Sequence, residues 1–259
     1  MKFQFIKMSV IFSLVACMFS PGLTKATPLG TVDIAHEGFY AHNLMYVWAG
    51  GWNGVIGHAG VYKLNKTSST GEGDIWDNGA VGAFCIEWAE LSSSYTYTYD
   101  VIKPSEGPLP TTYLGSAMGE TKAKYLQELW GRYYDSAWVG DGPFTANQNS
   151  KAGAFATAIW EIVHEDLPVT PLGWDVTVDG TIGSGGFRGV GGDLTASNMM
   201  LHSLDGTGPL ADLRVFSFDG AQDYLVAVPE PTTIVLLGLG GALSLLRRKK
   251  GLDLTNKKS

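Results

Sequence analysis

The amino-acid sequence predicts an α+β chain: a β-rich ectodomain, sandwich- or barrel-like, with a two-helix insertion, an N-terminal signal peptide and a C-terminal hydrophobic helix. Apolar runs of strand length sit early and late, helical periodicity is confined to the middle, and both ends carry apolar segments bordered by basic residues. Of 259 residues 34 are Gly, 12% are aromatic and only 17% are charged, which suits strands and turns better than a helical bundle. With 45% hydrophobic residues the chain can bury a sizeable core.

From the N-terminus, Lys2 and Lys7 precede an apolar run from Met8 to Phe19, and Thr24 and Ala26 fit the small-residue positions of a signal-peptidase site. Residues 1–26 are therefore expected to leave as a signal peptide, with cleavage after Ala26. A competing lipobox-like run, Leu14-Val15-Ala16-Cys17, would make Cys17 a lipidated first residue. Residues 27–227 read as one extracytoplasmic domain, with no linker or fixed-period repeat to divide them. Strand signals fall at Gly60–Leu64, Ala83–Leu91, Tyr95–Val101, Trp174–Val178 and Leu213–Phe218. Between them, Glu120–Tyr134 aligns Ala123, Leu126, Trp130 and Tyr133 on one helical face, and Asn149–Glu165 aligns Ala152, Phe155, Ile159, Ile162 and Val163. A shorter helix is expected over Ala196–Leu204, with Thr195 as its N-cap.

Charge is unevenly spread. Residues 27–228 hold nine Lys or Arg against twenty-three Asp or Glu, a net of −14, while the other nine basic residues lie near the two ends. Such a domain repels phosphate backbones, so nucleic acid is excluded as a partner. After cleavage at Ala26, Cys85 would be the sole thiol, with no internal disulfide to form. A lone buried Cys behaves as a small apolar side chain, and reactivity of Cys85 would require exposure and a lowered pKa.

No catalytic set is evident, and the chain is expected not to be an enzyme and to need no cofactor or metal. Glu161, His164 and Glu165 share a helical face, but zinc-protease spacing requires two His. His36, His42, His58 and His202 are scattered. Gly183-Ser184-Gly185-Gly186 lacks the strand-to-helix context of a nucleophile elbow. Trp48, Trp52, Trp76, Trp88 and Trp138 are candidates for a carbohydrate platform or for core.

The C-terminus combines three signals in order: Val228-Pro229-Glu230-Pro231, an uncharged stretch Thr232–Leu246, and the basic cluster Arg247-Arg248-Lys249-Lys250. At ~1.5 Å per residue the stretch reaches about 22 Å as a helix, short against a hydrocarbon core of about 30 Å. The basic cluster stays cytoplasmic by the positive-inside rule, which leaves residues before Pro229 outside and 251–259 as a cytoplasmic tail. This arrangement resembles the PEP-CTERM sorting signal of Gram-negative bacteria. The resemblance implies an exosortase-type sorting enzyme as partner, a membrane intermediate, and delivery to the cell surface or to an exopolysaccharide matrix, as in biofilm.

Phe84-Cys85-Ile86-Glu87 and Ala154–Ile162, containing Ala158-Ile159-Trp160, further resemble thioester-type adhesin domains, in which a Cys and a Gln form an internal thioester that captures amines. Cys85 matches the Cys position, but Ala156 stands where the Gln would fall, so the resemblance implies a scaffold whose bond is lost there. The ectodomain's glutamines are Gln127, Gln148 and Gln222. The expectation is thus a non-enzymatic structural or adhesive surface protein. The alternatives are a covalent adhesin acting through Cys85 and a hydrolase of matrix polysaccharide carrying paired carboxylates.

Overall fold

A computed structural model describes residues 27–109, 114–178 and 186–229. The expected signal peptide with Ala26 and Cys17, and the hydrophobic segment with Arg247, Arg248, Lys249 and Lys250, lie outside the described residues. Among the described residues no helix is long and apolar enough to cross a membrane.

The chain begins with two 20-residue strands, β1 (Gly30–Ala49) and β2 (Trp52–Gly71), which pair along their whole length. Gly50 and Gly51 join them with φ of 57° and 85°, the positive values that a two-residue type I′ turn requires at both positions. Register shifts at Asp33/Ile34, His36/Gly38 and Phe39/His42 let the ribbon coil where flat strands would splay. β3 (Gly79–Cys85), β4 (Tyr97–Ile102), β5 (Arg188–Val190), β6 (Leu213–Phe218) and β7 (Ala221–Ala227) follow. The hydrogen-bonded order is β2-β3-β7-β6-β4-β1-β5, every pair is antiparallel, and the β1–β2 pairing closes it. The result is a closed antiparallel barrel with β5 attached beside the far half of β1. Closure removes the open edges that an antiparallel sheet otherwise presents.

Between β4 and β6 the chain leaves the barrel to form α1 (Gly119–Tyr133), α2 (Ala146–His164) and α3 (Leu194–His202), so the helical insertion holds three helices. α2 is buried on every side from Ala152 to His164 rather than along one stripe, because it packs on β1 and β2 and is covered by α3 and α1. It starts in a capping box: the Gln148 amide donates to Thr145 Oγ1 at 3.2 Å and the Thr145 amide donates to Gln148 Oε1 at 2.9 Å. α3 is capped by Asp193, not Thr195, because the Asp193 carboxylate accepts the Ala196 amide at 3.0 Å. Two strand expectations are also corrected. Trp174–Val178 is a turn whose Asp175 carboxylate accepts the Thr177 amide and hydroxyl, and β3 stops at Cys85, leaving 86–91 irregular.

Aromatic packing fastens the helices to the barrel. Phe155 on α2 is fully buried, with its ring 4.9 Å from Phe84, 5.6 Å from Trp130 and 5.4 Å from Trp138. Phe155→Ala is expected to lower unfolding stability by about 3–5 kcal/mol in urea titration; a loss under about 1 kcal/mol would contradict this packing.

Candidate functional site

The chemistry-bearing side chains meet where β3 runs into the irregular segment after Cys85. Cys85 pairs with Tyr224 on β7, and the Ile86 amide donates to the Asp223 carbonyl at 3.1 Å, so the register continues briefly past the strand. Cys85 is 1% exposed, and its thiol donates to the Glu87 carbonyl oxygen at 2.9 Å. The Gln222 side-chain amide donates to that same oxygen at 3.3 Å. From α2, the Trp160 indole N–H donates to the Cys85 carbonyl at 2.9 Å. β3, β7, α2 and the segment after Cys85 thus meet at this residue.

Electrostatics there are set by burial. Desolvation raises the Cys85 thiol well above its ordinary value, so it stays protonated at neutral pH. Glu87 is fully buried; its Oε1 accepts the Glu90 amide at 2.8 Å while its Oε2 has no hydrogen-bond partner. Its pKa is pushed up to about 9, first by desolvation and then by Asp223 and Glu90. Asp223 accepts the Leu109 amide at 2.7 Å and the Phe218 amide at 3.0 Å, yet burial raises it to about 8. Both carboxyls are mainly neutral at pH 7, and neither lines the two clefts described below, so they do not form an exposed acid–base pair.

The other candidates are dispersed. Ala156 is buried within α2, and Gln148 is held at that helix's N-terminus, its amide nitrogen donating to the Ala137 carbonyl at 2.7 Å. The glutamine beside Cys85 is Gln222, which β3–β7 pairing brings there from far along the chain. Glu161 accepts the Asp175 amide at 2.9 Å and Glu165 accepts the Phe187 amide, so both carboxylates fasten loops. Among the described residues no group of three His, Cys, Asp or Glu is placed to hold a metal ion. Trp76, Trp88 and Trp138 are buried in the core, while Trp48 lies beneath Arg188, whose guanidinium carbon is 3.9 Å from the ring centroid. Trp52 is 37% exposed and donates to the Trp88 carbonyl. His36, His42 and His58, separated in sequence, gather round Phe39, which stacks on His58 at 4.0 Å. Burial lowers the pKa of His36 and of His58.

The two ends of the described chain leave by one end of the barrel. The Leu29 amide donates to the Val101 carbonyl at 2.8 Å and the Val228 amide to the Asp212 carbonyl at 2.9 Å. A cleft of about 270 Å³ lies there, bordered by Leu29, Glu72, Lys103, Glu120, Leu213 and Arg214. A second, of about 220 Å³, lies between the start of α1 and the end of α2, bordered by Met118, Lys122, Val163 and His164. Val228 is half-buried and Pro229 exposed, while Glu230 and Pro231 lie outside the described residues.

Residues 227–250 match the family model for the PEP-CTERM protein-sorting motif. That motif implies an exported chain that an exosortase processes on the way to the cell surface. Comparison with curated proteins and with solved structures found no match.

Because Glu87 and Asp223 hold protons in the folded state that the unfolded chain releases near pH 4, stability falls as pH rises from about 4 toward 9. Glu87→Gln removes one of these protons from the balance. Thermal melts should show the variant losing less stability than wild type between pH 5 and pH 9, by on the order of a few kcal/mol; parallel profiles would contradict the buried, protonated Glu87.

Proposed function

We propose that the chain is a non-enzymatic structural or adhesive component of the cell surface or extracellular matrix, exported by its N-terminal signal and processed at Val228-Pro229-Glu230-Pro231. The observation that carries this reading is the motif match over 227–250, which begins on the last residue of β7. The barrel therefore ends where the sorting signal begins. Support for a non-enzymatic role comes from the burial of Cys85, Glu87 and Asp223. The formal net charge of −14 over residues 27–228, strongly acidic even with Glu87 and Asp223 neutral, favours a neutral or cationic matrix partner over an anionic one.

Intact mass of the protein recovered from envelope and medium of its own host tests the proposal. Wild type should lack the segment after about Val228, and a variant carrying Pro229→Ala, Glu230→Ala and Pro231→Ala should keep it. Full-length tails in both would overturn it and leave a membrane-anchored ectodomain.

A second reading is favoured by one specific contact, the Glu87 carbonyl oxygen that receives both the Cys85 thiol and the Gln222 amide. In it, Cys85 sulfur adds to the Gln222 side-chain carbonyl carbon, the C–N bond breaks, and ammonia leaves with the thiol proton. The product is a buried thioester, a covalent adhesin's electrophile, with Gln222 in place of the glutamine absent at Ala156. The mature protein would then weigh about 17 Da less than its sequence, and Cys85→Ser would restore the full mass. An unmodified wild-type mass contradicts this reading.

A further inference from the structure

The sorting motif is joined to the barrel without a spacer. β7 pairs with β6 as far as Leu213↔Ala227, and the next amide, Val228, still donates to the Asp212 carbonyl at 2.9 Å. On the other side of β7, β3 pairs only with Leu225 and Tyr224, and beyond that Trp76 takes over: its indole N–H donates to the Ala227 carbonyl at 2.9 Å. Trp76 is 4% exposed, and its ring meets Phe216 edge-on at 4.9 Å, so this donor is fixed. Each edge of the chain is thus held by one hydrogen bond in the last two residues before Pro229. From Val228 to the start of the apolar stretch at Thr232 there are four residues, roughly 14 Å fully extended.

Enzymes that act on a peptide commonly hold it as an added strand, through main-chain hydrogen bonds on both sides of the reacting bond. One such group on each side is already committed, the Ala227 carbonyl to Trp76 and the Val228 amide to Asp212. Resting on the sorting reading above, we infer that Trp76 is a positioning residue for tail processing: with the Asp212 carbonyl it clasps the end of β7 against the barrel. The sorting enzyme then gains a grip on the residues before Pro229 only when that end leaves the sheet, and opening of the clasp sets the processing rate.

The test is pulse-chase processing in the native host of four chains: wild type, a Gly-Ser-Gly-Ser-Gly-Ser insertion between Val228 and Pro229, Trp76→Phe, and the two changes combined. The insertion leaves the barrel intact and supplies free extended chain, so its tail should be lost several-fold faster than that of wild type. Trp76→Phe keeps an aromatic ring and removes the N–H donor. It should accelerate processing in the spacer-less chain and add nothing once the insertion is present, a non-additivity that general destabilisation would not give. An insertion chain processed no faster than wild type overturns the inference and leaves the sorting reading standing. Retention of the tail by wild type and insertion chains alike overturns both.

Discussion

Pairing of β1 with β2 is the constraint on which the other parts of the molecule depend. It closes the sheet, and it does so with strands long enough to serve two purposes. The half near Gly30 and Gly71 belongs to the barrel, while the half near Gly50 extends past it as a ribbon against which α2 lies. Gly57 shows how tightly the ribbon is packed, since a Cβ there would fall 2.3 Å from the Trp88 ring. Without the ribbon α2 would have no surface for a helix that is buried all round from Ala152 to His164, and without α2 Trp160 could not reach the Cys85 carbonyl.

The same closure explains why polar groups are tolerated in the interior. Cys85, Gln222 and Glu87 come from two strands and an irregular segment, and the Cys85 thiol and the Gln222 amide both donate to one oxygen, the Glu87 carbonyl. Burying a carboxyl is unfavourable when it is charged and far less so when it is protonated, so the barrel keeps Glu87 and Asp223 neutral at pH 7. The interior therefore carries its titratable groups in protonated form, while residues 227–250 carry the sorting signal.

Legibility from sequence followed the range of the interactions. α1 and α2 were visible because a helix buries its own neighbours at three- and four-residue spacing, and both lie within a few residues of where periodicity put them. The sorting motif was visible because it is a linear signal. Most of β1 and β2 was not, since bulges interrupt their alternation and Gly, His and Asn sit at positions that only the partner strand explains. Trp174–Val178 looked like a strand by composition, but Asp175 closes a turn there. Gln222 could not be matched to Cys85 because β3–β7 register is a long-range property, and the same holds for the three histidines round Phe39.

The central claim is that a single closed barrel runs without interruption into the sorting signal. Native-state hydrogen exchange along β7 tests it most directly. The account predicts that the Val228 amide, bonded to the Asp212 carbonyl, exchanges about as slowly as the interior of β7. Protection that fades by Leu225 would show that the barrel stops short of the signal and that a loose spacer separates the two.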